Sequence, residues 1–345
     1  MFKVRSIAIS LVVTICLVVT LVIIGAAPIL ADSHDPLTIY SGRNESLIGP
    51  ILAQFSADTG IDVEVLYGGT SAVANQILTE GENSPADVFI AQDGGALGAL
   101  AAAEMLHKLP DATLDRVANA AFVSPAGLWV GLSGRARVFV YNPEMLAELA
   151  LDLPGSIFDL VGEEWSGLVG WAPTNASFVA NVTAMRVLLG EAATAQWLAD
   201  MIANGVNAYP KNTPIVQATI DGEVVGGLVN HYYLFRFLAE DPDITATLHF
   251  FPGGDLGSLI NVAGAAVLNT TDQPYDALAL VDYLLSDAAQ AYFAQSTYEY
   301  PLVDSVEPSV DLPALADIET PEIDLSDLAD LQGTLEVIEN SGALD

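Results

Sequence analysis

Apolar and polar positions fall into blocks along the chain, and the blocks repeat as strand, polar turn and helix. Leu37-Thr38-Ile39-Tyr40 predicts a short strand, and after Ser41-Gly42-Arg43-Asn44-Glu45 the residues Leu47, Ile48, Ile51, Leu52 and Phe55 recur at helical spacing. Ile61 to Tyr67 alternates like a half-buried strand, and Gly68-Gly69-Thr70-Ser71 opens the next helix. A third strand, Ala86 to Ala91, ends at Gln92-Asp93-Gly94-Gly95. Strands alternating with helices predict right-handed parallel units. Each strand then delivers a small polar loop to one sheet edge, where open α/β sheets bind ligands.

The alternation restarts further along. Leu128 to Leu132 and Arg137 to Tyr141 read as two strands around Ser133-Gly134-Arg135, and the first crossing to a second domain is placed there. Leu168 to Trp171 predicts a strand, Ala172 to Ser177 a loop, and Phe178 to Leu189 a helix. Val206 to Tyr209 leads through Lys211-Asn212-Thr213 into another helix. Ser258 to Leu268 predicts the strand that returns to the first domain, followed by helices over Tyr275 to Leu285 and Ala288 to Gln295. The acidic tail beyond Pro301 is expected to form loops and short helices strapped along a lobe.

The most informative stretch is Gly226 to Arg236. The apolar run Val224 to Val229 passes without a spacer into Asn230, an expected helix N-cap, so Tyr232 and Tyr233 fall in a first helical turn at a strand's C-terminal end. Helix neighbours diverge by about 100°, so the two tyrosines cannot share one core face. At a helix mouth they can fan around a single guest. The bland alternative is a pair of half-buried aromatics.

Composition narrows the chemistry. Lys3 and Arg5, the apolar run from Ile7 to about Ile24, and the small residues ending at Ala31 have the layout of a secretory signal cleaved after Ala31. The run is long enough to span a bilayer, so an uncleaved anchor is the alternative. The single cysteine, Cys16, lies inside this run and lacks the small residues that precede a lipidated cysteine. Without the leader there is no thiol, which excludes disulfides, thiolate metal sites and cysteine nucleophiles. A metal must then use oxygen or imidazole ligands. The net charge of −34 excludes nucleic acid as a partner. An anionic ligand would need local donors, and Arg43 is a candidate in a chain where arginine is scarce, against the alternative of an ordinary surface salt bridge.

Catalysis is poorly supported. There is no G-x-S-x-G elbow and no H-E-x-x-H, and the four histidines are His34, His107, His231 and His249. Only His231 is near the expected rim, and its place before the tyrosine pair predicts that it points away. A hard trivalent cation is the guest that makes sense of paired tyrosines. Such ions prefer oxygen ligands, and coordination deprotonates a phenol whose free pKa is about 10.

Four segments together carry a resemblance: Tyr40-Ser41-Gly42-Arg43, Pro85-Ala86-Asp87-Val88-Phe89, Pro173-Thr174-Asn175-Ala176-Ser177-Phe178, and the run from Gly222-Glu223 through Asn230-His231-Tyr232-Tyr233. They resemble the ferric-iron-binding proteins of bacterial ABC importers, in matching order over nearly the whole chain beyond the leader. The resemblance implies a two-lobed α/β fold of the type II periplasmic-binding class, each lobe a mixed, mostly parallel sheet flanked by helices, with hinge strands between lobes. The expected division is a signal peptide over 1–31, a first lobe over 32–137, a second over 138–261, and a return to the first lobe with C-terminal helices over 262–345.

It further implies an extracytoplasmic monomer that holds ferric iron with a synergistic carbonate or phosphate and hands it to an ABC permease driven by a separate ATPase subunit. Contact with the membrane is expected only through that permease or an uncleaved anchor. Tyr232 and Tyr233 match the paired iron-ligating tyrosines, while Thr174, Asn175, Ala176, Ser177, Asn212 and Asn230 resemble positions that hold the anion. Ser41, Arg43, Asn44 and Gln92 complete the expected cleft. The chain departs from the pattern in three places: Asn44 stands where some members have a histidine ligand, Gln92 followed by Asp93 where they have a glutamate, and Phe178 where some have a third tyrosine. Asp93 and Glu45 are therefore further candidate ligands. The alternative is metal-free capture of a small organic or phosphate-bearing anion, and a secreted hydrolase is the rival from another class.

Overall fold

Three short strands, β1 (Leu37–Ser41), β2 (Val63–Tyr67) and β3 (Val88–Ala91), lie parallel in the order β2-β1-β3, with helices Glu45–Thr59 and Thr70–Glu80 in the crossovers. The structure, a computed structural model, describes residues 35–344. The leader expected over 1–31 and His34 lie outside the described residues. Ile48, Ile51, Leu52 and Phe55 are buried at helical spacing, so Glu45–Thr59 packs its apolar stripe into the core. β3 is buried at every position, as a strand covered on both faces must be. Among the described residues no helix is long and apolar enough to cross a membrane.

The region read as two strands around Ser133-Gly134-Arg135 is instead one continuous strand, β4 (Val130–Tyr141). Gly134 does not break it, because its missing side chain makes room for a crossing segment. A Cβ there would lie 3.2 Å from side-chain atoms of both Tyr300 and Leu302.

The second half of the architecture is built by β5 (Val169–Trp171), β6 (Asn207–Ala208), β7 (Gly226–Asn230) and β8 (Thr247–His249), joined by helices that include Ala176–Leu189, Glu191–Ala203 and Asn212–Ile220. β9 (Ile260–Val267) then returns between β3 and β4, and β10 (Tyr300–Pro301) pairs with β4. The hydrogen-bonded order is β2-β1-β3-β9-β4-β7-β5-β6. Along β4, Val130 to Ala136 pair with β9 and Arg137 to Tyr141 with β7. One strand thus serves both lobes of a two-lobed α/β fold, and its change of partner falls between Ala136 and Arg137.

Two local expectations are corrected. β7 runs on through Asn230, and the helix Tyr232–Glu240 starts after His231, so Asn230 is not the cap. Its side-chain oxygen accepts from Arg137 Nη1 at 3.2 Å instead. The tail also does not stay on one lobe. The turn Leu325–Ala329 lies on helix Gly94–Ala102, with Ser326 Oγ accepting from Trp129 Nε1 at 3.2 Å, while helix Leu331–Asn340 packs on Ala176–Leu189 and Glu191–Ala203. There the hydroxyls of Thr183 and Thr334 meet at 2.8 Å, and Arg186 pairs with Asp330 at 3.0 Å.

Candidate metal and anion site

The strand-end loops of both lobes meet over a cavity of about 50 Å³. The loop after β3 contributes Gln92 and Asp93, β4 contributes Arg135 and Arg137, and the loop after β5 contributes Asn175, Ala176 and Ser177. Asn230, Tyr232 and Tyr233 come from the end of β7 and the first turn beyond it, and Leu259 and Asn261 close the wall near the start of β9.

The two tyrosine rings stack, with centroids 4.5 Å apart and planes at 29°, rather than fanning apart. The Arg236 guanidinium, one turn along the helix, lies 5.0 Å from the Tyr232 centroid and 5.3 Å from that of Tyr233. Burial, and then the neighbouring Tyr232, push the Tyr233 hydroxyl above the ordinary phenol range; Arg236 and Arg135 offset only part of this. The phenol therefore stays protonated at neutral pH unless a cation takes the proton's place.

Arg135 and Arg137 were not among the residues the sequence pointed to. Alternate residues of a strand face the same side, so both guanidinium groups turn into the cavity. They are only 4 % and 3 % exposed. Arg137 Nη1 donates to Ser177 Oγ and Asn230 Oδ1, each at 3.2 Å. Arg137 Nη2 and Arg135 Nε are buried without a hydrogen-bond partner among the described residues. Burial pulls Arg137 down to about 10, although Tyr232 and Tyr233 favour its charged form. Buried cationic donors with no acceptor call for an anion. The one signal available in the sequence was two scarce arginines at i and i+2 in a strand of an acidic chain.

Asp93 also reaches the cavity. Its Oδ1 accepts from the backbone N–H of Ala96 at 3.0 Å, and burial raises its pKa against the opposing pull of that N–H and of Arg135. Among the described residues there is no cluster of three His, Cys, Asp or Glu side chains able to hold a metal, and the acidic oxygen donors lining the cavity are the two phenols and the Asp93 carboxyl. Ser177 Oγ donates to Asn175 Oδ1 at 2.6 Å and accepts from Asn212 Nδ2 at 3.3 Å, which places Asn212 behind the rim rather than on it.

Several expected cleft residues lie elsewhere. Arg43 is 1 % exposed and points inward, where Nη2 donates to the Glu299 carboxylate at 3.0 and 3.2 Å and Nη1 to Ser133 Oγ at 3.3 Å. It is an internal counter-ion, not an oxyanion donor. Ser41 closes its own turn through both the N–H and the carbonyl of Arg43. Asn44 caps helix Glu45–Thr59 at the surface, Glu45 is exposed beside a separate shallow groove, and Thr174 is exposed outside the cavity. Phe178 is buried against Trp171 and Trp197. His231 is fully buried and turned away from the cavity. Its Nδ1 accepts the Ala136 N–H at 3.1 Å, so Nε2 carries the proton and donates to the Tyr298 carbonyl at 2.9 Å. Burial draws this imidazole down to about 4 and keeps it neutral.

Two lobes sharing a strand, with polar loops from both converging on a small cleft, have the architecture of a solute-binding protein. A family model described as bacterial extracellular solute-binding protein matches residues 83–328, and the chain belongs to that family. It is 32 % identical over 321 residues to the major ferric iron-binding protein of Neisseria meningitidis serogroup A, covering 92 % of this chain and 95 % of that one. It is also 32 % identical to the Fe(3+)-binding periplasmic protein of Serratia marcescens, covering 84 % and 85 %. Among solved structures, iron-bound HitA from Pseudomonas aeruginosa superposes with a TM-score of 0.81 at 33 % identity, covering 89 % of this chain and 99 % of that one. The architecture is the two-lobed periplasmic-binding fold, and the chain is a binding protein, not an enzyme.

Proposed function

We propose that the protein captures ferric iron together with a small dianion in the cleft between its lobes, outside the cytoplasm, and delivers it to an ABC importer. The observation that carries this reading is the pairing of two stacked phenols with two buried, incompletely satisfied guanidinium groups around one small cavity. Tyr232 and Tyr233 ligate the ion, with Asp93 as the third oxygen donor. Arg135, Arg137 and Ser177 hold the anion, beside Asn175 and Asn230.

Charge balance supports the dianion. Two phenolates and the Asp93 carboxylate bring three negative charges, the arginines two positive ones, and the ion three more. Carbonate or hydrogen phosphate removes the remaining two, which matters in a site shielded from water. The narrow cavity favours an ion with an inorganic anion over a bulky chelate. A metal-free anion at the arginines alone leaves the phenols without a role. The iron-binding relatives and the family membership support cargo and importer respectively.

We place the first lobe at 35–137 with its return at 262–330 and the second lobe at 138–261, joined by the closing helix Leu331–Asn340, supported by the partner change of β4 near Ala136 and by the packing of that helix. The protein works as a monomer that docks on a permease powered by a separate ATPase subunit. Metal analysis and the visible spectrum of protein purified without added metal test the assignment. Stoichiometric iron with a phenolate-to-iron absorption band is expected. A colourless protein whose anion binding ignores chelators would overturn it.

A further inference from the structure

The imidazole of His231 lies on the side of the strand–helix corner away from the cavity, yet it is tied to the strand that carries the arginines. Its backbone N–H donates to the Ala136 carbonyl at 3.1 Å, and the Ala136 N–H donates back to its Nδ1 at 3.1 Å. Ala136 sits between Arg135 and Arg137, and His231 sits between Asn230 and Tyr232. The peptide bearing both guanidinium groups and the peptide bearing both phenols are therefore locked by a reciprocal pair of bonds, one residue from the functional side chains on each side.

A third tie runs from Nε2 to the carbonyl of Tyr298, a non-glycine residue with φ of 58°. The next residue, Glu299, is fixed by Arg43 and Ser133. The imidazole also packs 4.8 Å from the Tyr300 ring and meets the Tyr232 ring edge-on at 5.7 Å and 87°, so it walls Tyr232 from behind.

We propose that His231 is a positioning residue that sets the register between the tyrosine pair and the arginine pair, so that ion and anion subsites share one geometry. The inference rests on the iron reading of the cleft. Its physical basis is that metal ligands lose affinity steeply when the groups orienting them are removed, by about 10- to 100-fold. A merely structural histidine would affect stability and leave the coordination unaltered.

Two variants separate these roles. His231→Phe keeps an aromatic ring but removes the acceptor for the Ala136 N–H. His231→Asn keeps an acceptor at the Nδ1 position and gives up the bond to Tyr298. Ferric-ion affinity by citrate competition, the position of the phenolate-to-iron band, and Tm are measured for each. The folded Phe variant is expected to lose at least about tenfold in affinity with a displaced band. The Asn variant is expected to keep the wild-type band despite a lower Tm.

A folded Phe variant with wild-type band and affinity overturns the inference, as does an Asn variant whose band is displaced; this second arm holds even if the Phe variant fails to fold. Absence of a band in the wild-type protein removes the iron reading and this inference with it. A wild-type band that survives unchanged in the Phe variant removes this inference alone.

Discussion

The rings of Tyr232 and Tyr233 lie nearly parallel, 4.5 Å apart, although consecutive helix positions point about 100° away from each other. The first turn allows this, because no preceding turn restricts the χ1 angle. Arg236 covers both rings from one turn further on. The stack brings both phenols to one side of the corner, the side lined by Arg135 and Arg137.

Replacing either tyrosine by phenylalanine keeps the ring in the stack and removes one oxygen. Tyr232→Phe and Tyr233→Phe are each expected to bleach the visible band and to weaken iron binding more than about a hundredfold, beyond the loss from an orienting group. Unfolding stability should stay within about 1 kcal/mol, since the ring volume is conserved. Citrate competition and urea titration check both halves. A single variant with wild-type affinity would show that its phenol is not a ligand.

Proton balance gives the second prediction. Burial and Tyr232 hold the Tyr233 hydroxyl protonated well above neutral pH in the metal-free protein, so binding an ion there expels that proton. Mass action then sets the sign: lowering the pH favours the protonated, metal-free form, and affinity falls. Calorimetry in buffers of different ionisation enthalpy counts the protons. Tyr233→Phe should release about one proton fewer than wild type from the same iron source, because that hydroxyl is gone. Equal release by both proteins would place the ion elsewhere.

Arg137 supplies the third. Its Nη2 is buried without an acceptor among the described residues, and Nη1 is shared between Ser177 and Asn230, so a bound oxyanion completes its set of bonds. Charge-assisted bonds of this kind are about twice as strong as neutral ones. Arg137→Gln should cost at least about tenfold in iron affinity and flatten its dependence on added carbonate or phosphate. The check is iron affinity measured across a series of anion concentrations. An anion dependence as steep as in wild type would move the anion site off Arg137.

What could be read from the sequence was local. The strands before the three polar loops and the placing of Tyr232 and Tyr233 at a strand–helix corner follow from periodicity within a dozen residues. What escaped was set by partners far along the chain. Arg43 is indistinguishable from a cleft arginine until Glu299, 256 residues away, is found against it. Arg135 and Arg137 look like the flank of a turn, and only pairing with β9 and β7 shows a continuous strand aimed at the cavity. Asn230 has the chemistry of a cap, but Arg137 claims its oxygen. The tail's bridge from helix Gly94–Ala102 to helix Ala176–Leu189 has no counterpart in local pattern.

The Arg43–Glu299 pair yields the last prediction, about stability. Both side chains are almost wholly buried, with Ser133 Oγ donating to Glu299 at 2.6 Å. Burial alone would raise the Glu299 pKa, but Arg43, Arg135 and Ser133 outweigh it and hold the carboxyl below its usual 4.5. A carboxyl depressed by folding contributes stability that is present above the unfolded-state pKa and is lost as pH falls through the folded-state value.

Glu299→Gln strands a buried guanidinium and should cost about 3–5 kcal/mol at neutral pH. As pH drops below the usual carboxyl range, wild-type Glu299 takes up a proton and forfeits the same interaction, so the two proteins should converge. Every other acidic group titrates in both, and subtraction isolates this one. Urea unfolding of the metal-free proteins at neutral pH and near pH 3 measures the difference. A gap that stays constant with pH would mean that Glu299 is not the charged partner of Arg43.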